Sequence, residues 1–251
     1  MSEERTGDNE TTVVIPDGVT EIKDEAFVRC PLTSVVIPDS VTKIGYGAFG
    51  GCSNLTSVVI PDSVTEIGFK AFAGCTSLTS IVLPNRLTTL EDQLFDSCRS
   101  LRSVVIPDSV TTIKPCVFVG CSSLTTVVIS ENVTEIGFSA FSGCSSLRSV
   151  AMLDGETFIK PSVELPKGVT LIQTRTFYGC SSLRSVAIPD GVTWIGWQAF
   201  CGCTNLVSVK IPDSVREIGE EAFAYCPNLT DIKIPRHALL GKDVFLLREK
   251  N

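Results

Sequence analysis

The chain has 251 residues, of which 43% are hydrophobic and 20% charged, so it holds ample material for a core and does not have the composition of a disordered segment. A formal net charge of −7 with scattered basic residues excludes a nucleic-acid binder, which needs clustered Lys and Arg, and a protein that adheres to anionic membrane surfaces. No apolar run is long enough for a transmembrane helix, so no membrane insertion is expected.

Residues 1–11 are polar and acidic, lack the apolar core of a signal peptide, and read as a frayed N-terminal tail. Residues 12–251 then read as one repetitive domain. Cysteines recur at 30, 52, 75, 98, 121, 144, 180, 203 and 226, a step of 23 apart from one step of 22 and one of 36. A period of that size signals a solenoid of about nine to ten coils. A phenylalanine column runs beside it, from Phe27, Phe49 and Phe72 to Phe223 with Phe245 as a looser last member, and a leucine column runs from Leu32 to Leu229. A single 23-residue coil cannot bury its own apolar residues, whereas stacked coils bury a continuous row of each type.

Within the unit that starts at Cys52, the alternation and β-branched content of Leu55-Thr-Ser-Val-Val-Ile60 predict a strand, and Pro61 ends it because proline cannot donate to a ladder. Val64-Thr-Glu-Ile67 predicts a second short extended piece, Gly68 a bend, and Ala71-Phe72 a turn of 3₁₀ helix. Each coil returns in the same direction, so the strands are expected to be parallel, and about nine rungs at about 4.8 Å give a length of roughly 45 Å.

The pattern L-x-x-V-x-I-P-x-x-V-x-x-I-G-x-x-A-F-x-x-C resembles the BspA-like, or Treponema pallidum type, class of leucine-rich repeats over about residues 12 to 245. The proline after the strand and the Ala-Phe pair set this class apart. The resemblance implies a leucine-rich-repeat solenoid shaped as a right-handed shallow horseshoe, and a role in adhesion or protein recognition, often at the cell surface. Two features of the chain itself, the N-terminus and the lack of any bridging scheme for eleven thiols, point instead to the cytoplasm.

The residues that could carry chemistry are few. The single histidine, His237, sits in the C-terminal cap beside the final proline, a poor place for a general base that a rigid scaffold must hold. A zinc site needs ligands converging on one point, whereas the cysteine column offers one thiol per rung along a line. Cys116 and Cys201 lie off the column and form no C-x-x-C pair. An acidic column after the prolines (Asp17, Asp39, Asp62, Asp108, Asp190, Asp213) is broken by Asn85, Glu131, Lys167 and Arg236, and is expected to cap its own turns rather than hold calcium. No catalytic residue, metal or cofactor is expected.

Two surfaces stand out as binding candidates. Side chains alternate across a strand, so the first should present Val36, Val59, Val82, Val105 and Val128 outward, an apolar stripe that turns basic at Lys210 and Lys233. The second is an insertion at 153–165, which carries Phe158 and Ile159, expected as a loop near Trp194 and Trp197. The expected partner is a protein, with the oligomeric state left open and a monomer included. A structural spacer or self-assembling rod is the alternative.

Overall fold

The computed structural model describes residues 3–5, 11–152 and 163–247. It is a stack of coils, each contributing one strand to a main sheet face and one two-residue strand to a second row, with no helix among the described residues; along the main face the strand ladder breaks between Ser34–Val36 and Ser57–Val59 and between Ser80–Val82 and Ser103–Val105. In the coil of Cys52 these strands are Ser57–Val59 and Glu66–Ile67. Neighbouring main strands pair in parallel, as Ser57–Val59 does with Ser80–Val82, residue 57 against 80 and 59 against 82. The 23-residue period thus becomes in-register pairing, and every column of the sequence becomes a row in space.

The rows inside the stack are fully buried. Leu55, Val58, Ile60, Val64 and Ile67 point into the core of their coil. The phenylalanine rings stack one on the next, with centroids 5.3 Å apart between Phe49 and Phe72 and 5.3 Å between Phe200 and Phe223. An offset stack of this kind gains ring–ring attraction beyond the area it buries. Phe245 ends the row half-exposed at 42%.

The turn that holds each phenylalanine differs from the 3₁₀ helix expected at Ala71-Phe72. Lys70 and Gly74 have φ of 58° and 73°, in the left-handed region, and they interrupt any helical run. Alternate amides of the segment take opposite partners. Ala71, Ala73 and Cys75 donate three residues back, while Lys70, Phe72 and Gly74 donate to the carbonyls of Asp92, Leu94 and Asp96 in the next coil. A 3₁₀ helix would commit all six donors within its own coil; the alternating turn instead uses half of them to join coils. The same segment explains Gly68, expected as a flexible bend. A Cβ there would lie 2.7 Å from the Tyr46 nitrogen of the preceding coil, so glycine is required by close approach.

Two stretches depart from the expected organisation. Residues 3–5, placed in the frayed tail, form a strand antiparallel to Thr11–Val14 and cover the first edge of the main sheet. The last three residues of the 153–165 insertion do not belong to a loop, since Val163 and Leu165 are buried. Val163 pairs on one side with Val150 and on the other with Val186, so Val163–Glu164 is an additional rung of the main sheet. The sequence Val163-Glu-Leu-Pro166 repeats the Val58-Val-Ile-Pro61 motif.

Among the described residues no matching coil exists on the opposite side of the stack. Phe141 stacks directly on Phe177 at 5.5 Å, and the second row's ladder stops at Glu135–Ile136 and resumes at Leu171–Ile172. The solenoid therefore contains a dislocation, one strand more on the sheet side than on the phenylalanine side.

Candidate functional site

The cysteine column is a structural row. The Sγ of Cys75 donates to the Phe49 carbonyl at 3.2 Å, and the equivalent bond recurs from Cys52 to Phe27 through Cys226 to Phe200. That carbonyl already accepts the backbone N–H of Cys52, so the thiol fills its second lone pair. Burial pushes the thiols up, Cys52 and Cys226 to about 12 and the central ones well above the ordinary range. All eleven cysteines are unpaired. Inert buried thiols of this kind fill and fasten the turn.

The outward face of the main sheet is built by the same alternation that buries Val58 and Ile60. Val36, Val59, Val82 and Val105 are 52%, 65%, 56% and 56% exposed, on successive strands. Val128, the fifth member, is half-buried. Beyond it the row continues as Ala151, Glu164, Ala187, Lys210 and Lys233, so the apolar stripe occupies the N-terminal half alone. Serines line its flank at Ser57, Ser80 and Ser103.

Phe158 and Ile159 lie outside the described residues. The two tryptophans near the dislocation have separate environments. Trp194 is half-buried, pairs with Leu171 across the second row, and lays its ring over Gly196. Trp197 is 40% exposed and carries the Arg175 guanidinium 4.3 Å above its ring, with the Tyr178 ring 5.6 Å from the same group. The Arg175 Nε donates to Gln198 at 2.7 Å, and Gln198 donates in turn to Glu221.

Sequence reasoning missed Arg175 and Tyr178. The column immediately before the left-handed turn residue, which reads Tyr46, Phe69, Phe138 and Trp197, held the available signal. Tyr46 and Phe69 stack at 5.5 Å, and Phe138 is half-exposed on the rung that borders the dislocation.

In the acidic column Asp62 bonds to the next coil rather than to its own turn. Asp62 accepts the backbone N–H of Asn85 at 2.8 Å. Among the described residues no three His, Cys, Asp or Glu side chains converge as metal ligands would. The geometry offers flat apolar area, an aromatic–arginine cluster and a rigid lattice.

The model of the BspA type leucine rich repeat region matches this chain in six copies, over residues 6–58, 42–163 and 156–246. No curated protein matches it. A leucine-rich repeat protein from Bacteroides ovatus is 32% identical, with 92% of this chain and 69% of that chain covered and a TM-score of 0.57. The T. pallidum leucine rich repeat protein is 30% identical over 89% of this chain and 80% of that one, with a TM-score of 0.51. A leucine-rich repeat protein from Eubacterium ventriosum shares the fold at 20% identity and a TM-score of 0.57, covering 94% of this chain and 82% of that one.

Proposed function

The chain belongs to the BspA-type leucine-rich repeat family, and on that premise we propose that it is a non-enzymatic recognition or adhesion module that binds a partner protein through the outward face of its main sheet. The observation that carries this reading is the stripe of Val36, Val59, Val82 and Val105, each more than half exposed on a strand whose other face is core. Valine favours strands for its own sake. A row of exposed valines flanked by serines nevertheless gives a flat surface with little side-chain entropy to lose, which suits burial against a second protein.

The rival surface is the cluster of Arg175, Tyr178 and Trp197, residue types that dominate binding hot spots. The expected cytoplasmic placement gains no support from the relatives. Free thiols do not favour it either, because a row in which each thiol faces a phenylalanine carbonyl stays unpaired in any compartment. The cell surface, which the resemblance implies, is the setting we assign.

One pull-down separates the candidate surfaces, comparing the full chain, a Val59→Ser/Val82→Ser/Val105→Ser variant, a Trp197→Ala variant of the aromatic–arginine cluster and a deletion of the 153–165 insertion. The deletion joins Met152 to Pro166, restores the spacing of 23, and lets Val150 take the place of Val163 beside Val186, so the stack should stay folded. Capture lost in the valine variant and retained in the other two supports the sheet. Capture retained by the valine variant refutes it.

A further inference from the structure

The stack is closed at one end and open at the other. The inward column of the second row begins at Ile22, 3% exposed, and stays buried through Ile218, yet its last member, Leu240, is 52% exposed. The phenylalanine row likewise runs from a buried Phe27 to a half-exposed Phe245, and Leu239 and Leu247 of the same last coil are exposed as well. The strands Asp231–Ile232 and Leu239–Leu240 end their ladders, each paired only with the strand before it. The amides of Asp243 and Phe245 stand where those of Lys70 and Phe72 donate to a following coil, and no carbonyl among the described residues accepts them. At the other end the antiparallel strand Glu3–Arg5 closes the main sheet.

The last main strand is also its own complement. It reads Asp231-Ile232-Lys233, with Asp231 and Lys233 exposed on the outward face and Ile232 packed against the core. Laid antiparallel against a second copy with Ile232 facing Ile232, it sets each Asp231 opposite the other copy's Lys233. Opposite charges at directly opposed positions stabilise a strand pair. A slip of one residue would turn the isoleucines to the wrong face, and a slip of two would oppose lysine to lysine or aspartate to aspartate, so this register is selected. The preceding strands carry Ser208/Lys210 and Ser185/Ala187 at these positions and lack that symmetry.

We propose that two copies of this chain join tail to tail through this coil, as an isologous dimer whose main face continues across the contact. The two-fold axis of the pairing stands perpendicular to the sheet. It turns the second solenoid end for end, sets one open core against the other, and leaves both outward faces on the same side. The contact comprises residues 226–247, within the about 20–30 residues that each side of a standard interface contributes. Association stops at two, because the opposite end presents an antiparallel strand and buried columns instead of an open core. The dimer goes beyond the recognition reading and is independent of which face binds a partner.

The test is sedimentation velocity on the full chain from about 1 to about 100 µM under a reductant. A species of twice the chain mass should form as concentration rises, with nothing larger. Asp231→Lys makes both symmetric charge pairs repulsive and should raise the dimer dissociation constant at least about tenfold. Asp231→Lys/Lys233→Asp exchanges the charges, preserves the complementarity, and should restore the constant to within about threefold of wild type. Leu240→Glu, which buries a carboxylate in the contact, should leave only monomer. Asp213→Lys makes the same charge change one coil earlier and should alter the constant by less than about twofold. Circular dichroism checks that each variant is folded.

A monomer at every concentration would overturn the proposal. Equal losses in Asp231→Lys and Asp213→Lys would reduce the effect to net charge and overturn it too, as would failure of the exchanged pair to restore association. Growth beyond the dimer would show a head-to-tail contact and refute the two-fold pairing. No partner protein enters this measurement, so its failure is distinguishable from failure of the valine-dependent pull-down.

Discussion

Raising the pH should unfold this protein through its thiol row. Eight cysteines, from Cys52 to Cys226, donate Sγ to a phenylalanine carbonyl from inside the stack, and burial holds their ionisation far above the value of 9.0 they have when exposed. The unfolded chain therefore releases protons first. A group whose folded value is raised contributes stability that is fully present below the unfolded value and is lost as pH climbs toward the folded one. At pH 10, one unit above 9.0, each protected thiol has lost about 1.4 kcal/mol of that contribution. Eight of them lose about 11 kcal/mol together, comparable with the whole stability of a typical domain at about 5–15 kcal/mol.

The assay is denaturant unfolding followed by circular dichroism from about pH 8 to pH 10 under a reductant, in wild type and in Cys98→Ala/Cys121→Ala/Cys144→Ala. The wild type should lose most of its stability over that range. The variant, starting lower because of its small cavities, should show a slope reduced toward five-eighths. A flat profile, or an identical slope in both proteins, would show that the thiols are not shielded by the stack.

Phe141 is fully buried and stacked on both sides, so Phe141→Ala should lower unfolding free energy by about 3–5 kcal/mol; a loss below about 1 kcal/mol would mean that the row is not the core. Maleimide labelling under denaturing, non-reducing conditions should find nearly all eleven thiols free, and a disulfide within the nine-member column would contradict the row geometry.

The period of 23 determined most of the architecture by itself. Once coils stack in register, Phe49, Leu55, Val58 and Cys52 can each reach only their own equivalents, so the columns name the core and alternation names Val59 and Val82 as exposed. The family signature was legible for the same reason. What depends on partners in space was not legible. The alternating amides of the turn at Lys70 to Cys75 answer to carbonyls one coil away, so sequence spacing alone suggested a 3₁₀ helix.

The aromatic–arginine cluster assembles from two successive coils, with Arg175 and Tyr178 on one and Trp197 on the next, and no window along the chain contains that contact. The strand Val163–Glu164 is followed by Pro166 and Phe177 at the usual spacing, but the cysteine and leucine that precede a rung stand before Val150 instead, as Cys144 and Leu147. Only pairing with Val150 and Val186 decided that the end of the insertion adds a rung to the sheet while the phenylalanine row runs on without a gap, because strand spacing and ring stacking are satisfied independently on the two sides of the stack.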